Sequence, residues 1–150
     1  MKQCGFDGVQ IHCAHGYLLN DCLKAGRADF VLDILRQIQE DVQQVKPVKI
    51  IRDNKVEWKN PDFELCVKVS AEEQNLQFIM DAGQIVNMIE LSKGSYSSPK
   101  DLVDNHRSKP ALQFLDAHKE LLTLKSTTGC RICVTGGFHS LDEGHSCLIE

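Results

Sequence analysis

The chain has no apolar h-region at its N-terminus, so no secretory signal is read there. No apolar run approaches the roughly 20 residues that a membrane-spanning helix needs, and a membrane partner is not expected. A basic patch is missing too. The net charge is −4 and the pI about 5.8, and the densest cationic stretch, Lys46 to Lys59, also carries Asp53 and Glu57. No nucleic-acid partner is expected on that balance. There is no low-complexity tract, no GxGxxG after the first apolar strand and no GxxxxGK[ST] anywhere. A dinucleotide-binding or P-loop fold therefore has no fingerprint.

What is present is ordinary in bulk. The 150 residues, 42% hydrophobic and 25% charged, suffice for one globular domain with a real core, 1–150, and are short for two. The 7 cysteines are odd in number and irregularly spaced. Without an export signal they read as reduced thiols of a cytoplasmic protein. Cys130-Arg-Ile-Cys133 is a CxxC, but it runs straight into Val134 as a strand, where positions three apart face opposite sides. A metal or redox knuckle needs a turn or helix N-terminus there, so no metal is assigned. Cys13 and Cys66 read as small buried residues.

Short apolar runs alternate with amphipathic segments. Strands are expected at 6–11, 63–70, 85–91 and 131–135, with 146–150 as the beginning of another. Helices are expected at 28–45, where Val31, Ile34, Leu35, Ile38, Val42 and Val45 share a face, at 71–83 with Gly83 as C-cap, and at 110–125 with Pro110 in its first turn. Two β-like runs flank Asp53-Asn54, so residues 48–58 read as a hairpin, and Asn20 to Arg27 reads as a loop. Strands alternating with helices mean βα units and a parallel sheet. Periodicity allows a doubly wound sheet or a barrel. Both place their sites at the carboxyl ends of the strands, and here those ends carry His12 and His15, Ser70, Ser92 and Gly94, then Gly136 and Gly137.

The stretch Gly5-Phe-Asp-Gly-Val-Gln-Ile-His12-Cys-Ala-His15-Gly-Tyr17-Leu-Leu19 is the most specific. Two imidazoles, a glycine and a phenol lie within six residues of a strand end. On spacing alone, such a His-x-x-His serves polar packing more often than catalysis, Gly136-Gly137 is a turn, and Lys68 snorkels from its strand.

These residues resemble a known family. Residues 5–19 are similar, almost residue for residue, to the fourth barrel strand and loop of the old yellow enzyme family of FMN-dependent NADH:flavin oxidoreductases, in its NADH-oxidase-like branch. Leu65-Cys-Val-Lys-Val-Ser70 resembles the fifth strand, residues 86–96 the sixth and Ile132-Cys-Val-Thr-Gly-Gly-Phe-His-Ser140 the seventh. Cys147-Leu-Ile149 resembles the start of the eighth, and the blocks keep the family's order.

The resemblance implies an α/β fold that is a partial TIM (β/α)8 barrel, about strands 4–8, with residues 48–58 as a hairpin insertion. It implies an ene-reductase that takes electrons from NADH or NADPH through FMN and reduces an activated, enone-like small molecule. His12 and His15 would hold the substrate's oxygen and polarise it. Tyr17 would be the catalytic proton donor. Lys68 would stand beside the pyrimidine edge of the flavin, and Gly136 and Gly137 would hold the FMN phosphate through backbone N–H groups.

The sequence departs from the family as well. A complete barrel takes roughly 250 residues, and the family's first three strands have no counterpart here. Lys93 stands where a glycine is usual. A half-barrel leaves open strand edges, through which self-association is expected. The competing expectation is a truncated, catalytically inactive association module that binds no flavin.

Overall fold

The computed structural model describes residues 5–44, 48–52, 55–59, 63–94 and 109–147. In chain order the elements are β1 (Gly8–Cys13), α1 (Leu18–Lys24), α2 (Ala28–Gln44), β2 (Val48–Arg52), β3 (Lys55–Lys59), β4 (Glu64–Ser70), α3 (Leu76–Ala82), β5 (Met88–Ser92), α4 (Pro110–Ala117), α5 (Thr123–Thr128), β6 (Arg131–Val134) and α6 (Leu141–Ser146). One 3-10 turn, Glu73–Asn75, precedes α3, and another, Lys119–Leu122, precedes α5.

The fold is α/β. Strands β1, β4, β5 and β6 form one parallel sheet in that order, so each crossover leads to the adjacent position. That singly wound order is compatible with an arc of a (β/α)8 barrel. Strands β2 and β3 pair antiparallel as a separate hairpin, and Asp53 and Asn54, read as its turn, lie outside the described residues. So do Pro47, Pro61 and the connector at 99–105.

The period of two along the strands decides where the core sits. Cys13 of β1, Leu65, Val67 and Val69 of β4, and Ile89 and Leu91 of β5 all face one side. They form one cluster with Leu23 of α1, Val31, Leu32 and Leu35 of α2, Phe78 and Ile79 of α3, Phe114 of α4 and Leu124 of α5. The helices therefore cover a single face of the sheet. The alternate residues, Gln10, His12, Lys68, Glu90, Arg131 and Cys133, belong to the other face.

Several boundaries differ from the sequence expectation. The first strand runs two residues later than 6–11, because pairing begins where Gly8 lies opposite Glu64; His12 is thus inside the strand. The segment read as a loop at 20–27 holds most of helix α1, which begins at Leu18 and whose Leu23 closes the core. The expected strand at 85–91 begins only at Met88, after a turn in which Ile85 N–H and Val86 N–H both donate to the Ala82 carbonyl. The single helix expected over 110–125 is broken at His118, whose backbone leaves the helical region at φ −121° and ψ 61°. Its imidazole bridges Glu73 on the turn after β4 (2.9 Å) and Glu120 (3.2 Å). The segment at 146–150 is not a strand where it is described: Ser146 ends helix α6, and 148–150 lie outside the described residues.

Gly83 occupies the C-cap of α3 but has φ −61°, so no left-handed cap forms. Its role is close approach. A Cβ there would stand 2.7 and 2.8 Å from the two terminal carbons of Leu124, itself 1% exposed. Gly83→Ala is expected to destabilise the fold by about 1–3 kcal/mol through overpacking. Gly144→Ala, inside α6 with open space at that point, is expected to stabilise it by about 0.5–1 kcal/mol. Urea melts of both variants check the pair, and equal effects would remove the packing role of Gly83.

Candidate active site

Parallel pairing aligns side chains of the open face in rows. His12, Lys68, Glu90 and Cys133 are register partners across β1, β4, β5 and β6. Ser70 and Ser92 pair in the next row towards the carboxyl ends. These rows and the loop after β1 make up the site.

That loop is held from several sides. Tyr17 N–H donates to the Ala14 carbonyl at 3.3 Å. Gly16 N–H donates to Oδ1 of the buried Asn20, on α1, at 2.8 Å. His15 N–H donates to the Ser70 hydroxyl at 3.2 Å. His15 carries a left-handed backbone, φ +61°, followed by Gly16 at φ +81°. The chain thus reverses at once, and both the imidazole of His15 and the phenol of Tyr17 return towards the strand end.

The three rings meet. His12 and His15 have centroids 5.2 Å apart at 69°, and His12 and Tyr17 4.9 Å apart at 85°, both edge-to-face. His12 Nδ1 accepts from Ala14 N–H at 3.3 Å, which places the hydrogen of the neutral ring on Nε2. His15 Nε2 lies 3.0 Å from the Ser92 hydroxyl. When that hydroxyl donates, the hydrogen of His15 is on Nδ1. Burial, and next the positive charge of Lys68, hold the His15 pKa below its usual value. His15 is therefore a neutral N–H donor at pH 7.

Beside the histidines, Lys68 Nζ meets Glu90 Oε1 at 2.7 Å. The same oxygen accepts from the Thr135 hydroxyl at 2.6 Å, and Glu90 Oε2 accepts from Gln10 Nε2 at 2.8 Å. Burial pushes the Glu90 pKa up, but hydrogen bonds from Lys68, Thr135 and Gln10 outweigh it and hold the carboxyl below its usual range. Glu90 is therefore ionised at neutral pH.

Gly136 and Gly137 follow β6 with φ +107° and +78°. They stand at the same carboxyl edge of the sheet as the histidines, across the full width from β1. Open space lies where a Gly136 Cβ would be, so a ligand can approach the backbone there. Just beyond, Glu143 accepts from His139 N–H at 2.7 Å and pairs with Lys109 Nζ at 3.2 Å, while Ser140 caps α6 by accepting from Glu143 N–H at 3.2 Å.

His12, His15, Tyr17 and Lys68 are thus gathered, and the glycine turn lies along the same edge. Sequence reasoning overlooked Glu90, Gln10, Thr135 and Asn20 as parts of the site. A charged residue inside the apolar run Met88-Ile-Glu-Leu was the available signal for Glu90. Cys13 and Cys130 stay apart from this chemistry, on the face that the helices cover. Burial pushes the Cys13 thiol up to about 12 and the Cys130 thiol up to about 11. Cys133 sits exposed on the opposite side of its strand from the buried Cys130. Among the described residues no group of three or more His, Cys, Asp or Glu side chains is arranged to hold a metal ion.

The fold and site are those of an α/β protein with hydrogen-bond donors and one ion pair collected at the carboxyl ends of parallel strands. Known proteins narrow that class. The chain is 30% identical to the NADH-dependent flavin oxidoreductase nadA of Aspergillus parasiticus, over 93% of this chain and 33% of the relative. It is 27% identical to the NADH-dependent flavin oxidoreductase iccE of Talaromyces variabilis, over 93% of this chain and 36% of the relative. It is 26% identical to the NADH-dependent flavin oxidoreductase iliE of Neonectria sp., over 92% of this chain and 20% of the relative. The chain therefore spans about a third or less of these relatives' lengths. No family model and no solved structure matches it.

Proposed function

We propose that this chain is the portion of an old yellow enzyme-type barrel that starts at its fourth strand, and that it binds FMN and reduces activated alkenes with NADH or NADPH in the cytoplasm. The observation that carries the proposal is the convergence of His12, His15 and Tyr17 on one strand end, next to the cation of Lys68. The three relatives, each an NADH-dependent flavin oxidoreductase by name, support the flavin and the NADH.

The residues present fit a flavin in part of its outline. Lys68 would face the acidic edge of the ring, and the open backbone at Gly136 would approach the phosphate. Bound FMN would supply the redox chemistry, as cofactors do. The chain's own residues would do the rest. The imidazoles of His12 and His15 would donate to one substrate oxygen, and stabilise the negative charge that grows there. The phenol of Tyr17, 47% exposed and edge-on to His12, would give its proton to the substrate carbon that becomes carbanionic.

Titration of the purified chain with FMN, followed by flavin fluorescence, tests binding. Saturable uptake is expected, and a chain that takes up none overturns the proposal in favour of an association module. In the loaded chain, Tyr17→Phe is expected to slow enone reduction by about 10²–10⁴-fold, with flavin reduction by NADH nearly unchanged. Equal slowing of both half-reactions would remove the proton-donor role.

A further inference from the structure

Glu90 accepts hydrogen bonds from three side chains on the open face, and the proposed chemistry gives it no task. Its donors come from three places in the sheet: Gln10 on β1, Lys68 on the neighbouring β4, and Thr135 just after β6. Packing does not require a carboxylate here, since the apolar face of β5 is the opposite one, formed by Ile89 and Leu91. A half-buried charge is tolerated only when it is paired and its remaining oxygens are satisfied, and Glu90 meets both conditions. The consequence falls on Lys68. A lysine side chain is long and rotatable. Here its ammonium is tied to the middle of the sheet, on the strand next to its register partner His12, instead of reaching out into solvent.

We propose that Glu90 is the positioning residue for Lys68: its carboxylate pins the ammonium on the open face and sets how much positive charge a bound FMN ring meets. The inference rests on the flavin-binding proposal above. Reduced FMN carries a negative charge on its ring, so a cation nearby favours the reduced form. A carboxylate paired to that cation opposes it. Glu90 thus lowers the flavin potential relative to an unpaired lysine, while keeping the lysine in place. Thr135 modulates the effect, because its hydroxyl shares the Glu90 oxygen that Lys68 uses. With that competing donor gone, the carboxylate binds the ammonium more strongly.

The full chain carrying Glu90→Gln, which keeps the shape and removes the charge, is compared with the parent in two measurements. In the first, no flavin is present. Acylation of Lys68 by acetic anhydride, read by mass spectrometry, is expected to become several-fold faster as the ammonium is released. In the second, FMN is bound and its midpoint potential is measured against redox dyes. Reduced FMN is expected to gain about tenfold in affinity relative to oxidised FMN, a rise of about 30 mV for a two-electron couple. Thr135→Val, a milder change at an exposed position, is expected to move the potential the other way, by about twofold in the same ratio. A potential that stays put in Glu90→Gln while Lys68 acylation rises overturns the charge-setting role. Shifts of the same sign in both variants overturn it too, because a general loosening of the sheet would act alike in each. Parent chain that takes up no FMN defeats the flavin proposal, and this inference falls with it. Unchanged acylation with normal FMN uptake defeats the inference alone.

Discussion

His15→Ala is expected to lower kcat/KM for alkene reduction by about 10²–10³-fold, the usual cost of losing one donor to a developing oxyanion. Reduction of the flavin by NADH should stay within about twofold. The effect follows from how His15 is placed. Ser70 on β4 holds its N–H and Ser92 on β5 holds its Nε2, so two neighbouring strands fix the ring before a substrate arrives. A preorganised donor does not have to be reoriented as charge grows, whereas water filling its place does. The backbone at 15 is left-handed, a conformation that costs any residue with a Cβ about 1–2 kcal/mol, so histidine and alanine carry the same strain. His15→Gly separates the two effects because glycine adopts that conformation freely. If the side chain matters, the glycine variant is as slow as the alanine variant even though it is free of that strain. Recovery of activity in His15→Gly would assign the loss to the backbone. His15→Asn, which tolerates a left-handed backbone and retains a donor, should fall between.

The alternation of strand and helix was legible because each apolar run of the sheet is short and bounded by polar or glycine residues. The site's outer parts were legible for the same reason: His12, His15, Tyr17, Ser70 and Ser92 all lie where a run ends. Glu90 was hidden because its meaning lies in register. Nothing in the chain states that position 90 stands beside 68, or that Gln10 two strands away can reach it. Local patterning also misled where tertiary contacts overrode it. The apolar spacing continues through His118, yet the helix breaks there as the imidazole turns to Glu73. Helix α6 went unseen because Leu141, its one large apolar residue, is 84% exposed and gives no periodic face. The signal that was present, Ser140 three residues before Glu143, is a capping pattern, and it follows a Gly-Gly turn that drew attention to itself.

Ile89→Ala is expected to destabilise the fold by about 2–5 kcal/mol. Strand β5 is paired on both sides, to β4 and β6, and Ile89 is 0% exposed among the core residues that the helices cover. Removing its outer carbons leaves a hole that rigid strands on either side cannot close. Ile89→Val keeps most of the volume and should cost only about 0.5–1.5 kcal/mol. Against a total stability of about 5–15 kcal/mol for a domain of ordinary size, the alanine variant loses a large fraction. For a chain of this length, that is a fall in Tm of about 4–20 °C. The neighbouring residue on the strand, Glu90, points to the opposite face and serves the site. The two faces should therefore respond separately. At a temperature where Ile89→Ala is still folded, its FMN affinity should match that of the parent within about twofold, whereas Glu90→Gln should alter the flavin potential with a smaller change in Tm. FMN affinity that fell in step with stability along the series parent, Ile89→Val, Ile89→Ala would mean that core and site form one cooperative unit rather than two faces of a common sheet.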